Sequence, residues 1–250
     1  MRFANPKNWL WLISLGGSIL IWQLVSVNLN DRPFPSASKI SNALWAMLQT
    51  GEFWGDLGVT FLIAMVGLII GIVLAVPLGL LVGLNEFAFR STKFILDFLK
   101  VIPPIVVLPL VLLMFGTTIK FSITLVVFGV LFSVIVQATY GVRDTDPVLL
   151  DTLSAFNASK YARLKYAVLP SALPFIATGT KIATSAAVIV SIVTGLVGSG
   201  PGLGHSLSVA ETGGNFPNVY AYVVVLGVVG ILVNMLVSAI DKRIIFWRGK

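Results

Sequence analysis

Cysteine is absent from this sequence and charge is scarce, with Asp, Glu, Lys and Arg together making up 11% of the residues. The missing thiols exclude disulfides, thiolate metal sites and Cys nucleophiles. A lone histidine, His205, cannot form a two-histidine zinc helix, and neither a GxSxG nucleophile turn nor a GxxxxGK(S/T) phosphate loop occurs. The ten acids are scattered through connections rather than paired inside apolar runs, so an intramembrane enzyme has little chemistry available. Nucleotide, if this protein uses any, binds elsewhere.

What the chain has in excess is apolar surface. Hydrophobic residues make up 57% of it and the mean hydropathy is +0.97, far above a soluble globular domain. The net charge of +7 does not point to nucleic acid, because the basic residues cluster in short connections between apolar runs. A helix needs about 20 apolar residues to cross hydrocarbon. Six runs qualify, over 9–29, 57–84, 94–115, 119–142, 175–197 and 218–240. The first exceeds the apolar core of a secretory signal, about 7–15 residues, and SVNLND after it lacks a small-residue cleavage pattern, so it is expected to be retained. No soluble domain fits between the runs. The expectation is one all-α polytopic membrane domain, 1–250, with six transmembrane helices.

Orientation follows from the basic residues. With the N-terminus inside, twelve of the seventeen Lys and Arg fall in inner segments, three (Arg32, Lys39, Lys120) fall in outer ones, and Lys100 and Lys181 lie within runs. Both termini and the long connection 143–174 are then cytoplasmic. That connection reads as two short helices. Asp146 before Pro147 is a helix start, an acceptor followed by a residue whose missing N–H costs nothing there. Asn157 tolerates the left-handed conformation that ends a helix, and a second helix is expected over 159–168. Pro170 and Pro174 would set the angle of the next span.

Elsewhere, Gly67, Gly71, Ala75, Gly79 and Gly83 recur every fourth residue, a bare helix side on which another backbone can approach closely. Pro103, Pro104 and Pro109 interrupt or bend the third run. Polar residues inside spans usually face the bundle interior. Ser133, Gln137 and Tyr140 share a face of the fourth run, and Lys181, Thr184 and Ser191 a face of the fifth. They are candidates for lining a pathway, with helix packing as the equal alternative. Lys100 and Lys181 are read as lying near cytoplasmic span ends, within snorkelling reach of the interface, and His205 as a loop residue.

The polar two-helix loop, the Leu-Pro pair and the second proline four residues on resemble the signature loop of bacterial ATP-binding-cassette importer permeases. In that family the pattern is Glu-Ala-Ala, three residues, Gly, nine residues, Ile, one residue, Leu-Pro. Here Asp151, Thr152 and Leu153 stand at the triplet, Asn157 at the Gly and Ala167 at the Ile, while Leu169 and Pro170 match. RPFPSASKI, TFLIAMVGLIIGIVLAVPLGLLVGL, KVIPPIVVLPLVLLMFG, TGTKIA and GPGLGHSL also follow the order of the branch that imports taurine, alkanesulfonates, nitrate and bicarbonate. The resemblance implies the ABC type I importer permease fold, with 143–174 as a cytoplasmic coupling loop.

It further implies that Asp151, Phe156, Asn157, Ala158, Ser159, Lys160, Tyr161, Arg163, Leu169 and Pro170 dock on an ATPase. The implied partners are two cytoplasmic ATPase subunits carrying ATP and Mg, a second permease copy or a homologous permease, and an extracytoplasmic substrate-binding protein. The chain itself would bind no cofactor and catalyse nothing. Residence in the bacterial inner membrane and a small polar, anionic solute are the expected setting. A permease for an uncharged or heterocyclic nutrient, a channel, or a membrane scaffold are the alternatives.

The charge asymmetry makes topology testable. In this Cys-free chain, Lys160→Cys and Lys242→Cys should each react with a membrane-impermeant maleimide only in inside-out vesicles. Labelling of both in intact cells would reverse the orientation.

Overall fold

The computed structural model describes residues 9–29 and 33–244. Its elements are α1 (Trp9–Leu29), α2 (Ala37–Leu48), α3 (Gly51–Leu84), α4 (Glu86–Leu99), α5 (Pro104–Phe115), α6 (Ile119–Arg143), α7 (Pro147–Ala155), α8 (Lys160–Arg163), a π-helical turn (Leu164–Val168), α9 (Leu169–Gly198), α10 (Leu203–Thr212) and α11 (Phe216–Ile244). The fold is all-helical.

The centre is a seam between α3 and α6. Val126, Val130, Ala138 and Val142 of α6 sit against Gly67, Gly71, Gly79 and Gly83 of α3, so closely that a Cβ built on any of these glycines would come within 2.5–2.6 Å of them. The offset between partners is constant along the seam, so the two helices run parallel. Removing the side chains lets the backbones approach, and the Thr139 hydroxyl donates to the Gly79 carbonyl at 3.2 Å in the buried contact. The sequence stripe therefore serves packing within one protomer. α9 lies on α6 in the opposite sense: Gly141 meets Ala172 and Phe175, Gly179 meets Gln137 and Val134, and Gly129 approaches Val190. Ile63, Phe121, Leu125, Val130, Ala183 and Ala187 fill the core between the three helices.

Parallel packing has a topological consequence, because the chain must return across the membrane between Leu84 and Ile119. An ion pair between Glu86 and Arg143 confirms that α3 and α6 end on the same side. The expected third span over 94–115 is interrupted at its prolines, as the sequence implied. α4 and α5 meet at an angle of 89°, the break falling before Pro103 and Pro104, which cannot donate to a preceding helical turn. Only the 12-residue α5 runs back, about 18 Å at 1.5 Å per residue. Four helical segments of the described residues are long and apolar enough to cross a bilayer, Gly51–Leu84, Ile119–Arg143, Lys160–Thr212 and Phe216–Ile240, or five if the bent pair counts as one. The described apolar part of α1, Ile13–Val27, is shorter.

Two further expectations change. The helix expected over 159–168 does not stop before the fifth span, but runs through the π-turn into α9 without a break. Pro170 follows directly on the π-turn, whose i→i+5 hydrogen bonding adjusts the helix where that donor is missing, and Pro174 is carried inside the helix. The segment around His205 is helix rather than loop. Ser199 at φ 53 and Gly202 at φ 113 turn the chain sharply after α9, and α10 then tucks back against it. The turn is pinned to α3, with the Leu203 N–H donating to Thr60 Oγ1 at 2.9 Å and the Ser206 hydroxyl to Asp56. Gly204 is pressed on the Ile192 carbonyl, where a Cβ would lie 2.0 Å away.

A side chain at the seam should be costly. Gly79→Val must displace Ala138 and the Ile135 carbonyl, which a Cβ would meet at 2.6 and 2.8 Å. It should destabilise by about 1–3 kcal/mol or more, read as a lower midpoint of thermal unfolding in detergent. Gly227→Val on α11, where nothing lies within 4 Å, should leave the midpoint unchanged or raised.

Candidate functional site

The connection after α6 folds as a rigid two-helix projection. The Asp146 carboxylate accepts from the Val148 N–H at 2.8 Å, capping α7 above Pro147. At the other end of α7 the Ala158 N–H donates to the Leu153 carbonyl and the Asn157 N–H to the Ser154 carbonyl, both at 2.9 Å. This double closure is the Schellman arrangement, and it requires a left-handed residue at the position of Asn157, whose φ is 53. Ser159 then caps α8 by accepting from the Ala162 N–H at 3.2 Å. Arg163 folds back to donate to the Ala158 carbonyl at 3.1 Å. The loop is thus closed by hydrogen bonds among its own backbone and side chains.

Its tip is apolar and uncovered. Phe156 and Tyr161 flank the turn and are exposed. Asp151, Asn157, Ser159 and Lys160 are also exposed, while Ala158 and Arg163 are half-buried. Leu169 is half-buried at the base and Pro170 exposed. Underneath, Val142, Val168 and Ala172 form a small core with Leu150 and Leu164, which ties the loop to the ends of α6 and α9. Arg143, the last residue of α6, pairs with Glu86 and lies 4.5 Å from the centre of the Phe89 ring. Hydrogen bonds from Arg90 and then Arg143 hold the Glu86 carboxyl below the usual carboxylate range.

The candidate pathway residues fall in different places. Thr184 and Ser191 are 1% and 2% exposed, and donate to the Thr180 carbonyl at 2.7 Å and the Val188 carbonyl at 2.8 Å of their own helix. Ser133 is half-buried and donates to Gly129 at 3.2 Å. Gln137 packs its stem on Gly179, and Tyr140 lies near α4 beside Phe89, Lys93 and Asp97. Lys181 is exposed. It is the thirteenth residue of the 30-residue α9, two residues beyond the contact of Gly179 with Gln137 and Val134. Within the apolar run 175–197 it is the seventh residue.

One feature escaped the sequence reading. Between α9 and α11 lies an open groove of about 710 Å³, lined by Ser185, Val188, Ile192, Gly230, Asn234 and Ser238 among others. The Asn234 amide donates to Ser185 Oγ at 3.0 Å, and Ser238 reaches Asn234 Oδ1 at 3.5 Å. Asn234 and Ser238 are the polar residues four apart in LVNMLVSAI, and the rule that singled out Ser133 and Gln137 finds them when applied to the last span. Ser185 is one turn from Lys181 and so shares its face of α9. Among the described residues no cluster of three or more His, Asp or Glu could hold a metal.

Comparison with known proteins was made on this framework. A profile of the family described as binding-protein-dependent transport system inner membrane component matches residues 67–246. The chain is 26% identical over 233 residues to the putative aliphatic sulfonates transport permease SsuC of Bacillus subtilis, covering 92% of this chain and 84% of that protein. It is 28% identical over 233 residues to the formylaminopyrimidine transport permease ThiX of Halalkalibacterium halodurans, covering 93% of each. A chain of the MetNI methionine ABC transporter in an inward-facing conformation superposes with a TM-score of 0.64. The match covers 74% of this chain and 92% of that one at 20% identity, a likeness of fold.

Proposed function

We propose, from the premise that the chain belongs to the binding-protein-dependent transport system inner membrane component family of ABC importer permeases, that it forms with a second permease the pathway for a small anionic solute. As a permease it is not itself an enzyme; ATP hydrolysis belongs to separate subunits. In this reading it lies in the inner membrane with both termini cytoplasmic. Two ATPase subunits, which carry the ATP and Mg, bind its loops, and a substrate-binding protein delivers solute to the opposite face.

The observation that carries the proposal is the capped projection 144–168. Its uncovered Phe156 and Tyr161 stand on a tip held rigid by the Asn157 turn, and the helix behind them continues unbroken into α9. A cleft on an ATPase that grips these aromatics can therefore move α9 through the π-turn Leu164–Val168 that joins it to the tip. Closure of two ATPases on ATP would draw two such loops together and tilt the helices they lead into. Nothing covalent happens in this chain. The loop departs from the family triplet at Thr152 and Leu153, and Asn157 replaces Gly at the one position where a left-handed residue is required.

For the solute, Lys181 is the argument. A full charge within a membrane-spanning run is costly against lipid and is expected to face water or protein or to reach the interface. No acidic residue occurs between 119 and 142, 169 and 198, or 218 and 240 to neutralise it. A cation one turn from Ser185, which accepts from the Asn234 amide in the groove, suits an anion of the sulfonate type, the class for which the SsuC relative is named. With Thr184 and Ser191 turned into the protomer, this face of α9 is the better candidate for the pathway, with Gln137 of α6 packed on Gly179 beside it; Ser133 and Tyr140 remain candidates on α6. The ThiX relative, named for a heterocyclic substrate, supports a second reading in which selection rests in the binding protein.

Two experiments test the proposal. Ala158→Glu puts bulk and charge at the turn and should abolish copurification with the ATPase while thermal unfolding of the chain is unchanged. A variant that assembles and transports normally removes the docking role. Lys181→Met should lower sulfonate uptake about tenfold or more, since a hydrogen bond to a charged group contributes about 1.5–3 kcal/mol, with ATPase assembly intact and Lys181→Arg retaining uptake. Wild-type uptake by Lys181→Met moves selection out of the membrane and favours the second reading.

A further inference from the structure

We propose that α4 lies in the plane of the bilayer, seated at the headgroup–acyl boundary of the leaflet facing the loop 144–168, and anchors the base of that loop to the membrane surface. The helix has three sides. Phe89 and Leu96 are half-buried and pack toward Val136, Thr139 and Tyr140 of α6. Phe87, Phe94 and Phe98, at spacings of seven and four, form a second side that is 80%, 79% and 60% exposed, flanked by exposed Ile95 and continued by Val101. Arg90, Lys93 and Asp97 make the third side, with Arg90 paired to Glu86 and Asp97 to Lys100, both at 2.6 Å.

The geometry selects lipid as the occupant of the aromatic side. α5 carries the return path from the Pro103–Pro104 break toward Ile119, and α4 stands at 89° to it. If α5 runs across the bilayer, α4 therefore runs along its surface. The aromatic stripe leads through Val101 directly to Ile105, Val106 and Leu110 on the exposed side of α5, so it is continuous with a surface at membrane depth rather than ringed by polar residues like a soluble-protein patch. A charged strip lies along one edge, where an in-plane amphipathic helix needs it, while the aromatic rings reach the acyl boundary.

The helix is also coupled to the loop. Glu86 in its first turn pairs with Arg143, and Arg143 immediately precedes the connection that carries the projection. Phe89, one turn on, lies under the same guanidinium. A helix held at the membrane surface thus fixes the point from which the loop emerges. The inference needs only the membrane setting of the chain and not the identity of what the loop binds.

The chain has no cysteine, which permits a direct test. Single cysteines at 87, 94 and 98, and at 90 and 93, are spin-labelled in the full-length protein in nanodiscs of phosphatidylethanolamine and phosphatidylglycerol. Collisions with oxygen should exceed those with a water-soluble nickel chelate at 87, 94 and 98, and the order should reverse at 90 and 93. Nickel access equal to or above oxygen at the three aromatic positions means a water-exposed face, and immobile labels shielded from both reagents mean a protein partner. Either result overturns the proposal. For the anchoring half, a label at position 144 should gain mobility when Phe94 and Phe98 are both replaced by Ser. Unchanged mobility there overturns the coupling.

Discussion

The parallel contact of α3 with α6 is the constraint on which the rest of the structure depends. Gly67, Gly71, Ala75, Gly79 and Gly83 are buried along α3, and lipid offers no hydrophobic drive to hold two helices together. Close backbone approach and dispersion must supply it. Small residues at every fourth position make that approach possible over four turns. The Thr139 bond to the Gly79 carbonyl adds a directional contact where no water competes.

Parallel neighbours cannot be joined by a short turn, and the return path between them carries the irregular part of the fold. α5 is too short to span a hydrocarbon layer of about 30 Å by itself, and α4 is turned out of line by the Pro103–Pro104 break. Both helices keep large apolar side chains exposed, Phe87 and Phe94 on one and Leu113 and Met114 on the other. In a bilayer such exposure is ordinary solvation. The far end of α9 is treated differently: α10 folds back and is hydrogen-bonded to α3 through Thr60 and Asp56, which pins the turn after α9.

The loop between α6 and α9 is the best-determined local structure in the protein, because each of its turns is closed by a residue suited to it. Asp146 caps, Pro147 starts, Asn157 supplies the left-handed turn and Ser159 caps again. The continuous helix from Lys160 into α9 then makes the projection and the membrane span one mechanical body.

By itself the sequence determined the apolar runs, the seam, the shape of the loop and the family resemblance, all of which rest on local properties: hydrophobic length, residue size at helical spacing, and the φ preference of Asn and Pro. The two readings of the polar stripes could not be separated from sequence, because Ser133, Thr184 and Ser191 can bond their own helix whichever way it faces. Only packing turned Thr184 and Ser191 inward and left Lys181 outside. Likewise the helix at His205 and the groove holding Asn234 depend on which helices are neighbours, whereas the break within 94–115 falls at the prolines the sequence marks and only its angle was left open. Hydropathy averages over a window and records neither direction nor partner, whereas the parallel α3–α6 seam sets both through contacts 59 residues apart in the chain.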